Sequence, residues 1–150
     1  MSKKPIIVFE GIEGSGKSHH INKVSKYLDK KKINYLKIRE PGGSPNSEKI
    51  RRLLLNKKSN FNIHTDLLLY LAARSENINL IKKFYKKKII LIDRFIDSTI
   101  AYQHYGMGVD LKIINIINKF LLKKIKVNFT FVNIVNKNNL LKRLKNRKSL

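Results

Sequence analysis

Apolar residues gather in four short runs, which are separated by longer stretches of mixed polar and apolar residues. The runs cover residues 5–9, 35–39, 89–93 and 129–135. Runs of this length are typical of β-strands, and the first, which carries no charge, predicts a strand that is buried on both faces. The pattern therefore predicts a sheet of four strands.

The stretches between these runs have the spacing of helices, with apolar residues recurring three or four positions apart. Thr65 is expected to cap the longest helix, and Asp110 is expected to cap the helix after the turn at residues 106–108. Alternating strands and helices predict one α/β domain over residues 1–150, with a parallel sheet between two helical layers. The first predicted helix begins near Lys17. The other predicted helices span residues 48–55, 64–88, 97–105, 110–124 and 138–147.

The first apolar run leads directly into Gly-Ile-Glu-Gly-Ser-Gly-Lys-Ser at residues 11–18, which fits the phosphate-binding pattern G-x-x-x-x-G-K-[ST]. In such a loop the glycines let backbone N–H groups turn towards phosphate oxygens. Lys17 is placed to reach the terminal phosphates, and the Ser18 hydroxyl to bind Mg²⁺. The loop predicts binding of a nucleoside triphosphate. The expected ligands are Gly11, Ile12, Glu13, Gly14, Ser15, Gly16, Lys17 and Ser18.

Composition narrows the class of protein. The sequence contains no cysteine, which excludes disulfides and cysteine-ligated metals. No apolar run approaches the roughly 18 residues that span a membrane, and the short N-terminus leaves no room for a signal peptide, so we expect a cytoplasmic protein without a membrane partner. The formal net charge of +23 fits a nucleic-acid binder, but lysine is spread over every segment. This spread favours a solvated surface without a specific nucleic-acid partner.

Polar residues that follow the predicted strands point to phosphate chemistry. Because the carboxyl ends of parallel strands meet at one edge, Asp93 is expected to lie near Ser18 and to organise Mg²⁺ there. Capping of the next helix is the alternative for Asp93. Arg94, together with Arg39 or Arg51, adds more positive charge than simple hydrolysis requires. Two phosphorylated ligands are expected to meet at this edge, which predicts phosphoryl transfer from ATP to a small phosphorylated acceptor.

Six stretches of the chain also match one family, in the order in which that family has them. They are FEGIEGSGKS at 9–18, REPGG at 39–43, EKIR at 48–51, LAAR at 71–74, DRF at 93–95 and DSTIAYQ at 97–103. The chain resembles bacterial thymidylate kinases over essentially its whole length. The glycine loop is common to many NTPases, whereas REPGG and AYQ are far more specific. The resemblance implies a P-loop NTPase fold of the nucleoside monophosphate kinase type, a homodimer, ATP with Mg²⁺, and phosphorylation of dTMP to dTDP for dTTP biosynthesis.

The resemblance also implies how an acceptor base is held. Tyr70 takes the place of the usual Phe, so that its ring would stack on thymine while its hydroxyl needs a partner or water. Arg74 lies one helical turn further on and would donate to a thymine carbonyl. Gln103 would complete the contacts to the base edge. Without the family match, ordinary packing of Tyr70 is an equal alternative.

Further roles are implied for the phosphates and the sugar. Arg51 and Arg94 would bind the acceptor phosphate, and Glu13 would lie near the deoxyribose 3′-hydroxyl or the metal. Tyr102 would crowd the sugar 2′ position, which favours deoxyribose over ribose. The implied catalytic residues are Lys17, Arg94, Asp93 and Glu13. The implied remainder of the pocket wall is Glu40, Pro41, Ser98 and Thr99.

Family members continue beyond the point where this sequence stops. By this resemblance, residues 138–150 correspond to the helix that enters a mobile lid. The glycine loop has no arginine, and in family members of this kind the lid supplies the cation for the transferring phosphate. Arg143 and Arg147 lie in this region, without an assigned role. The chain is expected to be either a fragment or a shortened protein with impaired catalysis. Alternatives are another nucleotide kinase of the P-loop class, a nucleotide-binding protein with weak or no catalysis, and a basic nucleic-acid-binding relic.

Overall fold

The computed structural model describes residues 3–123 and 125–147, and places four parallel strands in one sheet. The strands follow the spatial order β2-β3-β1-β4, so the first and third strands of the chain lie at the centre. This arrangement confirms the predicted α/β architecture. The strands are β1 (Ile6–Glu10), β2 (Tyr35–Arg39), β3 (Ile89–Asp93) and β4 (Phe129–Val132).

Six α-helices in the described ranges connect and cover these strands, and each lies where the apolar spacing predicts one. The fourth helix runs without a break into a π-helical segment at Ile100–Gly106. Such π segments are rare and occur often at functional sites. The helices are α1 (Lys17–Lys30), α2 (Pro45–Leu54), α3 (Ile63–Phe84), α4 (Ile96–Thr99), α5 (Leu111–Leu122) and α6 (Lys137–Arg147).

Helix caps account for two errors of prediction. The Asn62 side chain accepts hydrogen bonds from the backbone N–H groups of His64 and Thr65, so Asn62 caps α3 and the prediction of Thr65 is wrong. Ser44 caps α2, so this helix begins at Pro45, before the predicted start at residue 48. Proline is favoured at the first helical position because its missing N–H has no partner to lose there. The predicted cap at Asp110 is confirmed.

Strand β4 and the ends of several elements also depart from the predictions. The strand stops at Val132, before the predicted end at residue 135, and all four of its residues are exposed. The expectation of a sheet covered on both faces is therefore wrong for β4 within the described part of the chain. Helix α3 ends at Phe84, before the lysines at 86–88. The predicted helix end at Lys124 and the last three residues, 148–150, lie outside the described residues.

The core lies on both faces of β1, β2 and β3. Ile90 and Ile92 of β3 pack with Ile78 and Ile81 of α3 on one face. Leu91, which points the other way, packs on the opposite face in a cluster with α1. This alternation follows from the two-residue period of a strand. It holds the carboxyl ends of β1, β2 and β3 at one edge, where the register pairs Asp93 with both Phe9 and Arg39.

Candidate functional site

A cavity of about 540 Å³ opens at the carboxyl ends of β1, β2 and β3. Its position agrees with the rule that open α/β sheets bind ligands at this edge. Most of the residues predicted to act together do meet here, although the chain separates them by up to eighty-nine positions. The predicted residues that line the cavity are Glu13, Gly14, Gly16, Lys17, Ser18, Glu40, Pro41, Arg51, Tyr70, Arg74, Asp93, Arg94, Ser98, Thr99 and Tyr102.

The glycine loop forms one wall of the cavity and ends where α1 begins. Gly16 precedes the helix with a φ of 97°, a left-handed conformation that favours glycine. Helix α1 therefore starts at Lys17 and points its positive end at the loop. Of the other predicted loop ligands, Gly11, Ile12 and Ser15 do not line this cavity, and the Ile12 side chain is 51% exposed.

Lys17 is a buried cation within the loop. Its Nζ donates to the carbonyl oxygen of Ile12 at 3.2 Å. Burial lowers the pKa of Lys17, and the neighbouring Arg94 lowers it further, while Asp93 and Glu10 act in the opposite direction. The charged form of Lys17 therefore carries a desolvation cost at this point. A polyphosphate would supply the compensating negative charge.

The outer side of the loop is covered by α6. The helix was predicted from the sequence, but its contact with the loop was not. Arg143 Nη1 donates to the carbonyl oxygen of Gly14 at 3.0 Å. A Cβ atom added at Gly14, whose φ is 77°, would lie 2.9 Å from Leu140 Cδ1, so that both the backbone conformation and the contact with the helix favour glycine. The expectation for Arg147 stays open because its side chain is outside the described atoms.

Arg74 lies at the centre of a buried polar cluster beneath the cavity. Its Nε donates to Glu40 Oε2 at 2.7 Å, its Nη2 to Thr99 Oγ1 at 2.8 Å, and its Nη1 to Asn118 Oδ1 at 2.6 Å. These four side chains are at most 6% exposed. We call Glu40, Arg74, Thr99 and Asn118 the acceptor floor. It joins the end of β2 to α3, α4 and α5.

The ion pair between Glu40 and Arg74 is supported from a second side. Asn77 donates to the carbonyl oxygen of Gly42 at 2.7 Å and to Glu40 Oε1 at 3.4 Å. Burial raises the pKa of Glu40, while Arg74 and the hydrogen bond from Asn77 oppose this rise. Such a buried pair is costly to break, because the remaining partner would be a buried charge without compensation.

The hydrogen bonds that Arg74 and Gln103 make within the protein limit what each can offer to a ligand. Their expected roles stay predictions. Each of the three nitrogens of Arg74 has a protein partner, so two of its five N–H groups are left for a ligand. Gln103 is 1% exposed and does not line the cavity. Its Nε2 donates to Asp66 at 3.1 Å, and its Oε1 is buried without a hydrogen bond among the described residues.

Two tyrosine rings and two arginines also line the cavity. Tyr70 is partly buried, and burial raises the pKa of its hydroxyl. The Arg94 guanidinium lies 5.5 Å from the centre of the Tyr102 ring and donates to Ser98 Oγ at 3.1 Å. Arg51 Nη1 donates to the carbonyl oxygen of Pro41 at 2.8 Å. Both arginines keep most of their N–H groups for an anion.

Arg39 was considered as a partner of Arg94 at the phosphates, but it lies outside the cavity. It forms an ion pair with Glu48 at 3.0 Å on the exposed side of the REPGG loop, and it does not line the cavity. Hydrogen bonding to Arg39 lowers the pKa of Glu48. Of the two arginines considered as partners of Arg94, the structure places Arg51 in the cavity.

The residues expected to hold Mg²⁺ have suitable chemistry. Asp93 Oδ1 is buried without a hydrogen-bond partner among the described residues, and Asp93 and Ser18 line the same cavity. No cluster of three or more His, Cys, Asp or Glu side chains suited to a metal occurs in residues 3–123 and 125–147. Mg²⁺ does not require one, because it is usually bound by one or two carboxylates together with water and phosphate oxygens.

The buried polar side chains of Glu10, Asn77 and Asn118 were missed from the sequence. Asn118 stands on the inward face of α5, four residues after the fully buried Ile114. A polar residue at an apolar position of a helix is a signal that could have pointed to it. Glu10 ends β1 and is 3% exposed, and its carboxylate faces α4. A carboxylate at the end of a buried strand is the corresponding signal.

None of the helices in the described ranges is long and apolar enough to span a bilayer.

Residues 9–150 match the family model described as thymidylate kinase. Curated thymidylate kinases from Kosmotoga olearia and Halothermothrix orenii are each 41% identical, over 116 and 128 residues. These matches cover 76% and 84% of this chain and 56% and 62% of the relatives. The chain therefore spans less than two thirds of the length of these relatives.

A solved structure agrees with the family model. The crystal structure of thymidylate kinase from Ehrlichia chaffeensis is 34% identical and superposes with a TM-score of 0.78, over 99% of this chain and 82% of that one. The likeness confirms the predicted P-loop kinase fold. By its sequence and its fold, the chain belongs to the thymidylate kinase family.

Proposed function

We propose that the protein transfers the γ-phosphate of ATP to dTMP, giving ADP and dTDP for dTTP synthesis. The observation that carries this proposal is the cavity itself. In this member of the family, one cavity is lined by residues of both the glycine loop and the acceptor floor. A triphosphate on the loop and a monophosphate beside Arg51 and Arg94 would meet head-on within it. Such positioning is the main requirement of phosphoryl transfer.

The acceptor base lies between Tyr70 and the acceptor floor. The Tyr70 ring stacks on thymine, and Arg74 uses one of its remaining N–H groups for a carbonyl oxygen of the base. Gln103 acts at the base edge, for which its unpaired Oε1 would have to turn from its buried position. Tyr102 packs against the sugar and disfavours a 2′-hydroxyl. The Glu13 carboxylate accepts from the 3′-hydroxyl or acts at the metal.

The phosphates are held by cations and by Mg²⁺. Lys17 binds the terminal phosphates of ATP, and Arg51 and Arg94 bind the phosphate of dTMP. Ser18 and Asp93 would hold Mg²⁺, which would neutralise charge on the donor phosphates when bound. Lys17 and Arg94 stabilise the charge that the transferring group spreads over its oxygens. Transfer is direct and in line, with no covalent intermediate on the protein and no strong general base.

The test is a coupled assay of ADP release with each nucleoside monophosphate in turn. The proposal expects turnover with dTMP that depends on Mg²⁺ and falls at least about a hundredfold in Lys17→Met, since a cation at the transferring phosphate is worth several kcal/mol. Turnover with another monophosphate and none with dTMP would contradict the assignment. Saturable protection by dTMP against thermal unfolding, without turnover, would instead identify a binding protein with impaired catalysis.

The proposed enzyme acts in the cytoplasm as a homodimer. An apolar stripe on α5 supports the dimer: Ile113, Ile116 and Phe120 are 43%, 68% and 67% exposed and recur at helical spacing. Sedimentation of the wild-type chain and of Ile116→Glu would test it. A dimer that Ile116→Glu converts to a monomer is expected, and a monomeric wild-type chain would contradict the proposal.

A further inference from the structure

We propose that Glu10 is a positioning residue, which aims the Arg94 guanidinium at the acceptor phosphate through the Ser98 hydroxyl. The inference rests on the proposed function only in taking Arg94 as a ligand of that phosphate. Glu10 belongs to none of the loop, metal or acceptor positions expected from the sequence. Its carboxylate is nevertheless buried at the edge of the sheet where those groups meet.

The Glu10 carboxylate is fully engaged by one short segment of the chain. Oε1 accepts from the backbone N–H of Phe95 at 2.7 Å and from the backbone N–H of Ser98 at 3.3 Å. Oε2 accepts from the Ser98 hydroxyl at 2.5 Å. All three donors lie at the start of α4.

The direction of these hydrogen bonds transmits orientation to Arg94. A carboxylate only accepts, so the proton of the Ser98 hydroxyl is committed to Glu10. The lone pairs of Ser98 Oγ are then left to accept, and Arg94 Nη1 donates to this oxygen at 3.1 Å. Glu10 thereby fixes which way the serine oxygen faces, and the serine oxygen fixes one edge of the guanidinium.

The backbone of Arg94 is held by the same strand. Arg94 has a φ of 67°, which is uncommon for a residue with a side chain and costs free energy. Its N–H donates to the carbonyl oxygen of Phe9 at 3.0 Å, and the next N–H, that of Phe95, donates to Glu10. Strand β1 thus holds the chain on both sides of the strained residue, as is common where a functional side chain is kept in one orientation.

Glu10→Gln tests the relay with little change of shape. The amide oxygen of Gln is expected to keep the two backbone N–H donors, so the amide nitrogen faces Ser98 and donates to it. The serine hydroxyl is then no longer committed, and Arg94 loses its fixed acceptor. We expect the Kd for dTMP to rise about tenfold or more, since hydrogen bonds to charged groups have this worth. The Kd for thymidine, which lacks the phosphate, and for ATP should change less than about twofold.

Titration calorimetry of the three ligands against wild type, Glu10→Gln and Asp97→Asn supplies the readout. Asp97 is an exposed carboxylate in the first turn of α4, so Asp97→Asn removes the same charge from the same helix end outside the relay. Wild-type-like affinity for dTMP is expected of this control. Equal loss of dTMP affinity in both variants would indicate a general charge effect and overturn the inference, as would equal loss of dTMP and thymidine affinity in Glu10→Gln.

A double-mutant cycle keeps the inference testable by a second route. Ser98→Ala leaves the Glu10 contact to Phe95 in place but removes the relay, and should weaken dTMP binding without weakening thymidine binding. Combining it with Glu10→Gln should add little, because both changes break one chain of hydrogen bonds. Additive losses would overturn the relay. Failure of wild type to bind dTMP would instead contradict the proposed function, which distinguishes the two claims.

Discussion

The glycine loop lies between two regions that are held in place in different ways. On one side, the acceptor floor is a closed set of buried ionic and polar groups, in which Arg74 joins three other elements. On the other side, α6 covers the loop through Leu140 and through an exposed hydrogen bond from Arg143 to Gly14. The acceptor half is therefore built into the core, whereas the contact of α6 with the donor loop lies at the surface.

This difference implies that the two halves respond differently to mutation. A change in the acceptor floor leaves a buried polar group without its partner and affects both folding and binding. A change beneath α6 meets solvent or a flexible side chain and should affect donor binding alone. The following variants would break or sharpen this distinction.

The largest effect is expected from Arg74→Leu. This change leaves the Glu40 carboxylate buried without its cation, which should lower the free energy of unfolding by about 3–5 kcal/mol and abolish dTMP binding. Urea unfolding measures the first effect, and calorimetry the second. Arg143→Leu is the matched control on the donor side, where the exposed hydrogen bond should cost no more than the error of the unfolding measurement. Equal destabilisation by the two changes would contradict the distinction.

Asn118→Leu should give the next largest effect. It removes the acceptor of Arg74 Nη1 and leaves a buried N–H group unsatisfied, at a cost of about 1–3 kcal/mol in unfolding free energy. Because Arg74 is proposed to contact the base, the affinities for dTMP and thymidine should fall together. Asn115→Leu, on the exposed side of α5, is the matched control and should leave both affinities unchanged. Unaltered binding in Asn118→Leu would show that Arg74 does not need this support.

Gly14→Ala probes the donor side. The added methyl group would lie 2.9 Å from Leu140 Cδ1, at a φ of 77° that costs an L-residue about 1–2 kcal/mol. ATP affinity should fall while dTMP affinity stays at the wild-type level, as calorimetry would measure. Leu140→Ala in the same chain removes the clash but not the backbone strain, so it should restore ATP binding only in part. Full restoration would mean that crowding alone is responsible.

The smallest effect is expected from Tyr70→Phe. The change keeps the ring, which lines the cavity, and removes only the hydroxyl. The Kd for dTMP should therefore change by less than about twofold, as measured by calorimetry. Tyr70→Leu, which removes the stacking face, is the comparison and should weaken dTMP binding clearly more. Equal losses in both variants would assign the role to the hydroxyl.

How well each region could be predicted from sequence depends on how far apart its interacting residues lie along the chain. The glycine loop is a local pattern, and residues 11–18 predicted both its shape and the start of α1. The acceptor floor depends on partners such as Arg74 and Asn118, which lie 44 positions apart. No local pattern reports such a pairing, although the polar position on the inward face of α5 gave a hint. The hydrogen bonds of Glu10 to Ser98 span 88 positions and were missed for the same reason.

Errors at element ends have a more local cause. Asn62 and Thr65 are both good N-cap residues, and only the backbone conformation decides between them. The predicted helix begins around residues 64–66, whereas α3 begins at Ile63. The exposure of β4 had no signal in sequence, since its apolar run resembles those of the buried strands.

The central claim is that the described residues build an acceptor site for dTMP that does not depend on the donor side. Calorimetric titration of dTMP into the wild-type chain and into Gly14→Ala, both without ATP, tests it most directly. We predict saturable binding with one site per chain and the same Kd in both proteins, and clearly weaker binding of dCMP. Absence of saturable dTMP binding by the folded wild-type chain, or its loss in Gly14→Ala, would contradict the account.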